Sequence, residues 1–346
     1  MKYRPFPVKT LLNILTVAVL VIGAGLLLWQ GRQRKLDSIA ARAKDLDAFL
    51  QDGRLYVLSA DHDSLSNNVY FLRAEGEDGY LRLPGDAVKW CADTERFVYT
   101  DGKKVRTCGI DGKNRETLCK SPGGEYALVT DVIDGFAIVR LSIELGGSKT
   151  SGTGEWLAAV LATGEIFGPF ALAEETRTVH PVTVADGWLY FSTGSVSGGG
   201  ASVRRYRLAD GACETLTQSV AYSFDLGCVK DGYLYFSYTD YSGSLNRIPA
   251  AGGHVEPLVG ALESVGLKQA VWLGGEDGSI YLAAIRSVSE AERRLILYTL
   301  DTETLTLTET GSVPAKDSTI RAGRLQDGIF TAVFHSDPPL CVLLNR

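Results

Sequence analysis

The 346-residue chain has room for two average domains or for one large all-β domain, and its 45% hydrophobic content suffices for a large core. Its 38 Gly and 11 Pro are spread along the chain, which argues against disorder. Residues 1–50 carry eight Lys/Arg and three Asp/Glu (+5), leaving 27 against 38 (−11) in residues 51–346; this acidity disfavours nucleic acid or anionic lipid as partner of the globular part.

Residues 1–9 form a short N-terminal tail. Thr10 to Gln30, TLLNILTVAVLVIGAGLLLWQ, contains no charge. As a helix it would measure about 31 Å, the thickness of a hydrocarbon core, so a transmembrane signal anchor is expected over residues 10–30. Trp29 falls where an indole sits among head groups. The rival is a cleaved secretory signal, but the run is long for one, and the nearest Ala-x-Ala pattern (Ala41, Ala43) lies well beyond it. The first cysteine is Cys91, which excludes a lipoprotein anchor. Lys2, Arg4 and Lys9 precede the run while Arg32, Arg34, Lys35, Arg42 and Lys44 come after it, so the positive-inside count alone leans slightly against an N-terminus on the inside. Over 31–50 the spacing of Leu36, Ile39, Ala43, Leu46 and Leu50 predicts a juxtamembrane helical stalk docked on the globular part; a weak dimer contact is the alternative.

From residue 51 to 346 one pattern recurs, a turn followed by a short apolar strand. It begins at Asp52, Asp93, Asp134, Asp186, Asp231, Asp277 and Asp327, at intervals of 41, 41, 52, 45, 46 and 50 residues. Such a period belongs to β-propeller blades. Within a period a second hairpin comes next, turning at Asp111-Gly112, Asp210-Gly211 or Ala251-Gly252-Gly253, and an innermost strand such as SFDLGCV precedes each start. That makes four strands, A to D, in an antiparallel meander, hence an all-β propeller of four-stranded blades. Seven starts favour seven blades. Only 19 residues remain after Asp327, too few for a D strand, so six blades with an irregular start is the alternative.

In DGYLYFSYTDYSGSLNRIPAAGGHVEPL, the residues Tyr235, Asp240, Leu245, Arg247, Gly252 and Leu258 stand in the order of low-density-lipoprotein-receptor-type (YWTD-like) propeller repeats, with the motif's Trp replaced. The chain resembles such repeats, and more loosely bacterial membrane-anchored propellers. That resemblance implies an extracytoplasmic interaction domain on a single-pass cell-membrane protein, without defined chemistry.

Six cysteines permit up to three disulfides; Cys108 and Cys119, flanking Asp111-Gly112, are the first candidates for a bridge, with six small core residues as the plainer reading. Meander geometry puts A–B and C–D turns on one face and B–C and D–A connections on the other. The second face carries the long loops, so binding is expected there. On it, Asp61, His62 and Asp63, with Asn67 and Asn68 close behind, offer oxygen and imidazole ligands. Ring closure would bring His335 and Asp337 beside them, a conceivable divalent-metal site without diagnostic spacing; otherwise no cofactor is expected. Tyr126, Trp156, Tyr222, Tyr238 and Tyr241, with Asp240, furnish aromatic and acidic groups for a sugar or peptide; core packing is their plainer role. The Gly/Ser-rich stretches 146–154 and 194–202 read as flaps over the channel mouth or as plain loops.

Catalysis has little support. The chain has only four His, and no nucleophile elbow, His-Glu-x-x-His, Walker loop or Cys-x-x-Cys. The sequence points to a ligand- or protein-binding module, with an extracellular hydrolase using carboxylates or a metal at the channel mouth, or a structural part of an envelope assembly, as alternatives.

Overall fold

A computed structural model of the chain describes residues 8–343 except 63–67, 143, 146–147, 150–154, 172–175, 196–199, 220–223, 239–244, 259–269, 275–278, 290–291, 316–319, 327 and 335–339. One helix, α1 (Val8–Ala40), precedes the strands. Blade 1 is β1 (Lys44–Gln51), β2 (Arg54–His62), β3 (Asn68–Ala74) and β4 (Leu81–Arg82); blade 2 is β5 (Asp86–Cys91), β6 (Arg96–Asp101), β7 (Lys104–Cys108) and β8 (Glu116–Lys120). Blade 3 is β9 (Tyr126–Ile133), β10 (Phe136–Ser142), β13 (Glu155–Val160) and β14 (Ile166–Ala171), with a hairpin of β11 (Glu144–Leu145) and β12 (Ser148–Lys149) inside its B–C connection. Blade 4 is β15 (Thr176–Ala185), β16 (Trp188–Ser195), β17 (Ala201–Arg207) and β18 (Cys213–Ser219); blade 5 is β19 (Phe224–Lys230), β20 (Tyr233–Tyr238), β21 (Leu245–Pro249) and β22 (Glu256–Pro257). Blade 6 is β23 (Ala270–Gly274), β24 (Ile280–Ser287), β25 (Arg293–Asp301) and β26 (Thr306–Ala315), and a closing sheet completes the ring: β27 (Ile320–Gln326), β28 (Ile329–Phe334) and β29 (Leu340–Leu343).

The middle strands are covered on both faces by neighbouring blades. They therefore read as continuous apolar runs rather than as alternation, as in FVYT of β6, WLAA of β13 and LYFS of β20, each four buried residues in a row. The outermost strands are mostly exposed, like ETLCK of β8. The core is a ring of layers between sheets. Phe49, Leu58 and Tyr70 meet Val88, Trp90 and Phe97 between blades 1 and 2. Tyr190 and Val203 meet Phe224 and Phe236 between blades 4 and 5. Ala48 and Leu55 meet Val333 where the closing sheet returns to blade 1.

Tight hairpins are dictated by the sequence. Asp52-Gly53, Asp134-Gly135, Asp186-Gly187 and Asp231-Gly232 all take positive φ at both residues, the mirror-image turn that suits strand twist. At Asp111-Gly112 and Asp210-Gly211 only the glycine does so. There the Asp carboxylate instead accepts a hydrogen bond from the backbone N–H two residues on, at Lys113 (2.9 Å) and Ala212 (3.1 Å).

Three expectations are revised. The favoured count of seven blades is not met: among the described residues six four-stranded blades form, and the last repeat gives a three-stranded sheet. β1 is used as the inner strand of blade 1, and the residues before it are helical, so no described segment supplies a fourth strand. The helical stalk of 31–50 holds only to Ala40, because Lys44–Gln51 pair along β2 from Lys44↔Ala60 to Gln51↔Arg54 and bury Phe49 and Ala48. Cys108 and Cys119 are both free and point to opposite sides of blade 2, Cys108 into the layer shared with blade 1 and Cys119 into that shared with blade 3. Among the described residues no helix is long and apolar enough to cross a membrane.

Candidate functional site

The two longest connections, 143–154 and 258–269, leave on one face; the other carries four two-residue turns beside C–D connections of four to seven residues. A–B turns are two residues long in blades 1, 3, 4 and 5, whereas B–C connections span 63–67, 143–154, 196–200, 239–244, 288–292 and 335–339. Blade 2 is the exception, with B–C residues 102 and 103 alone. The longest D–A connection, 258–269, was not singled out from the sequence and falls on the same long-loop face.

Of the residues singled out for that face, the side chain of His62 and the whole of Asp63, Tyr222, Asp240, Tyr241, His335 and Asp337 lie outside the described residues. Asp61 ends near the rim of blade 1, where the Arg42 guanidinium donates to it at 3.3 Å, so this carboxylate is already paired. Among the described residues no group of three or more His, Cys, Asp or Glu is placed to hold a metal. Tyr126 opens β9, half-buried. Tyr238 closes β20 and packs on Phe224 (5.2 Å between centroids) and Phe236 (5.8 Å). Trp156 does not reach the rim: it is 6% exposed, in the core layer between blades 3 and 4, because β13 is covered on both faces. Asp61, Tyr126 and Tyr238 stand on one face but in blades 1, 3 and 5.

Beside these, the D–A loop of blade 2 is tightly organised. The Glu125 carboxylate accepts from Ser121 Oγ (2.5 Å) and from the Gly123 N–H (3.1 Å). These bonds, that from Ser121 above all, hold its pKa below the ordinary carboxylate range.

A second group of charges lies on the innermost strands. Lys89, Asp131 and Arg324 each stand two residues before the end of an innermost strand, β5, β9 and β27. Arg324 Nη2 donates to Asp47 Oδ2 of β1 at 2.9 Å, tying the closing sheet to blade 1. Burial raises the Asp131 carboxyl above its ordinary range; the charges of Lys89 and Arg324 oppose that rise, and Asp47 adds to it. Blade 3 and the closing sheet are not neighbours in the ring, so Asp131 and Arg324 stand on innermost strands that do not adjoin. One Asp131 oxygen accepts from the Val132 N–H at 2.9 Å. Lys89, Arg324, Asp47 and Asp131 thus supply two cations and two carboxylates on innermost strands. The signal in the sequence that could have found Asp131 was a lone charge inside the otherwise uncharged inner strand YALVTDVI; the strands of Lys89 and Arg324 carry two charges each.

No family model and no curated protein matches the chain. Among solved structures it is similar to a Mycobacterium tuberculosis puromycin-hydrolysing peptidase, with TM-score 0.54, 14% identity, and 84% of this chain on 49% of that one. It is similar also to a prolyl endopeptidase (0.52, 11% identity, 88% of this chain on 49%) and to an acylaminoacyl peptidase (0.53, 10%, 88% on 51%). The chain spans about half the length of each. At these identities the likeness is one of fold alone: the chain is a β-propeller.

Proposed function

We propose that the chain is a non-catalytic binding module, held at a cell membrane by α1 with the propeller outside, which engages a peptide, glycan or protein partner through its long-loop face. The observation that carries this reading is that the two longest connections, 143–154 and 258–269, leave on one face, while the four two-residue turns lie on the other. Tethering is supported by α1 itself. Nine large apolar side chains between Val17 and Trp29 are exposed, and a helix apolar all round needs an apolar surrounding. The order of Tyr235, Leu245, Arg247 and Gly252 shared with low-density-lipoprotein-receptor-type repeats favours binding over chemistry. A carboxylate hydrolase would need two convergent acids, whereas Asp47 is tied to Arg324.

The test is the unfolding midpoint of the full chain in mild detergent against a panel of divalent metals, glycans and cell-wall peptides. A ligand at 100 times its Kd adds about 2.7 kcal/mol. The reading expects a shift with a glycan or peptide that is lost when residues 239–244 are shortened. Turnover of any panel member would overturn it in favour of the hydrolase.

A further inference from the structure

The C-terminal turns of α1 are strapped to one flank of blade 1, and the contacts keep a consistent order. Arg42 pairs with Asp61 at the long-loop end of β2. Ile39, 3% exposed, packs on Val69 and Phe71 of β3 with Ala40 and Ala43 beside it. Further back, Gln33 Nε2 donates to Tyr80 Oη (3.3 Å), and Tyr80 Oη donates to Asp37 Oδ1 (2.8 Å). Tyr80 belongs to the C–D connection, at the tight-turn end, and its ring meets Phe71 edge-on at 4.9 Å. Moving toward its N-terminus, the helix therefore travels from the long-loop end of the blade to the tight-turn end. Residues 33 to 40 rise about 10 Å, close to the roughly 13 Å of strand they flank.

The flank is the one blade 1 turns toward the closing sheet. Phe71 and Val69 share it with Ser59 and Asp61 through the pairs Ser59↔Phe71 and Asp61↔Val69, and with Ala48 and Leu55, which meet Val333. The closing sheet has three strands, so α1 covers the outer part of that flank where a fourth strand would otherwise lie.

We infer that this strap sets the direction of the whole propeller: α1 leaves from the tight-turn face, so that face looks toward the bilayer and the long-loop face looks away from it, open to a partner. The inference rests on the reading of α1 as the membrane anchor. Charge does not produce the orientation. The tight turns carry Asp52, Asp134, Asp186 and Asp231, which repel anionic head groups, with the exposed Arg32, Arg34 and Lys35 of α1 between.

The experiment uses the full chain, with Cys213→Ser and Cys341→Ser, in phosphatidylcholine vesicles containing a lipid with a nitroxide on its head group. A fluorophore is placed at Lys113→Cys, in a C–D turn, or at Val288→Cys, in a B–C connection; the native side chains are 79% and 55% exposed. The expected result is quenching several-fold stronger at 113 than at 288, unchanged by salt. Equal or reversed quenching in a chain that floats with the vesicles overturns the orientation. A chain that does not float removes the membrane reading, and the inference with it. Combining Tyr80→Phe with Asp37→Ala should leave flotation intact and narrow the difference between the sites; an unchanged difference would show that the strap is not what orients the propeller.

Discussion

Arg205 of blade 4 lies over the ring of Trp188, 3.9 Å from its centroid, while its Nη1 donates to the carbonyl of Ala250 in blade 5. Its Nε donates to Glu214 at 2.8 Å. Blade 5 repeats the arrangement one step round the ring: Arg247 lies 4.2 Å over Tyr233, its Nε donates to Glu256 at 2.8 Å, and its Nη1 donates to the carbonyl of Thr302 in blade 6. A single guanidinium thus joins three strands of its own blade to the next blade. Arg247 is itself one of the positions by which blade 5 resembles a known repeat.

A planar fork is needed for stacking and for two directed bonds, and an ammonium supplies neither. Arg247→Lys should therefore cost about 1–2 kcal/mol, read as a lower denaturant midpoint with unchanged slope. Arg54→Lys, at a side chain 49% exposed and paired to Glu77, should leave the midpoint essentially unchanged. Equal costs would mean that the clasp is decorative.

The seam between β27 and β1 is held by Arg324–Asp47 and by Thr331, whose buried Oγ1 donates to the Ala48 carbonyl at 2.8 Å. Thr331→Val keeps the shape and removes the bond, for an expected loss of about 1 kcal/mol. A double-mutant cycle on Asp47→Ala and Arg324→Ala should return a coupling of about 1 kcal/mol, since the two side chains are 22% and 28% exposed.

Asp131 fixes the sign of one pH dependence. Its pKa is raised in the folded chain, which therefore holds the proton more tightly than the unfolded chain does. Stability should fall as pH rises from the ordinary Asp value of about 3.9 through the raised one, and the deficit should be complete above it. Asp131→Asn should raise the unfolding midpoint at neutral pH and lose that advantage below about pH 4. Lys89→Met, which removes an opposing charge, should deepen the deficit. An Asn variant less stable at pH 7 would show that the carboxylate is needed as a charge.

Thiol chemistry separates the cysteines. Burial pushes the thiols of Cys108, Cys119 and Cys228 up to about 11, whereas Cys213 is exposed. At pH 8, Cys213 should react promptly with a disulfide reagent and the other three only on unfolding. Electrophoretic mobility should not change with reductant.

The period of the blades, their four-strand meander and their Asp-Gly hairpins could be read from the chain because they are local: each is a turn residue beside a short apolar run. What could not be read depends on partners distant in sequence. Leu46 and Leu50 continue a helical spacing from Leu36 and Ile39, yet they belong to β1 because the ring needs an inner strand against β2. Trp156 looked like a rim aromatic and is core, since the covering of β13 comes from blade 4. Cys108 and Cys119 flank one turn, but strand register sends them to opposite layers. Lys89, Asp131 and Arg324 were not singled out from the sequence, since only ring closure puts Arg324 beside Asp47.

The two bonds that fasten the seam join residues 277 and 283 positions apart. Closing so long a loop costs entropy that no local contact returns beforehand. During synthesis the first blade must therefore wait, its flank toward β28 uncovered, until almost the whole propeller has emerged. The strap of α1 on Val69 and Phe71 shields part of that flank from the moment blade 1 exists, so a contact made within the first eighty residues guards apolar surface while the ring is still open.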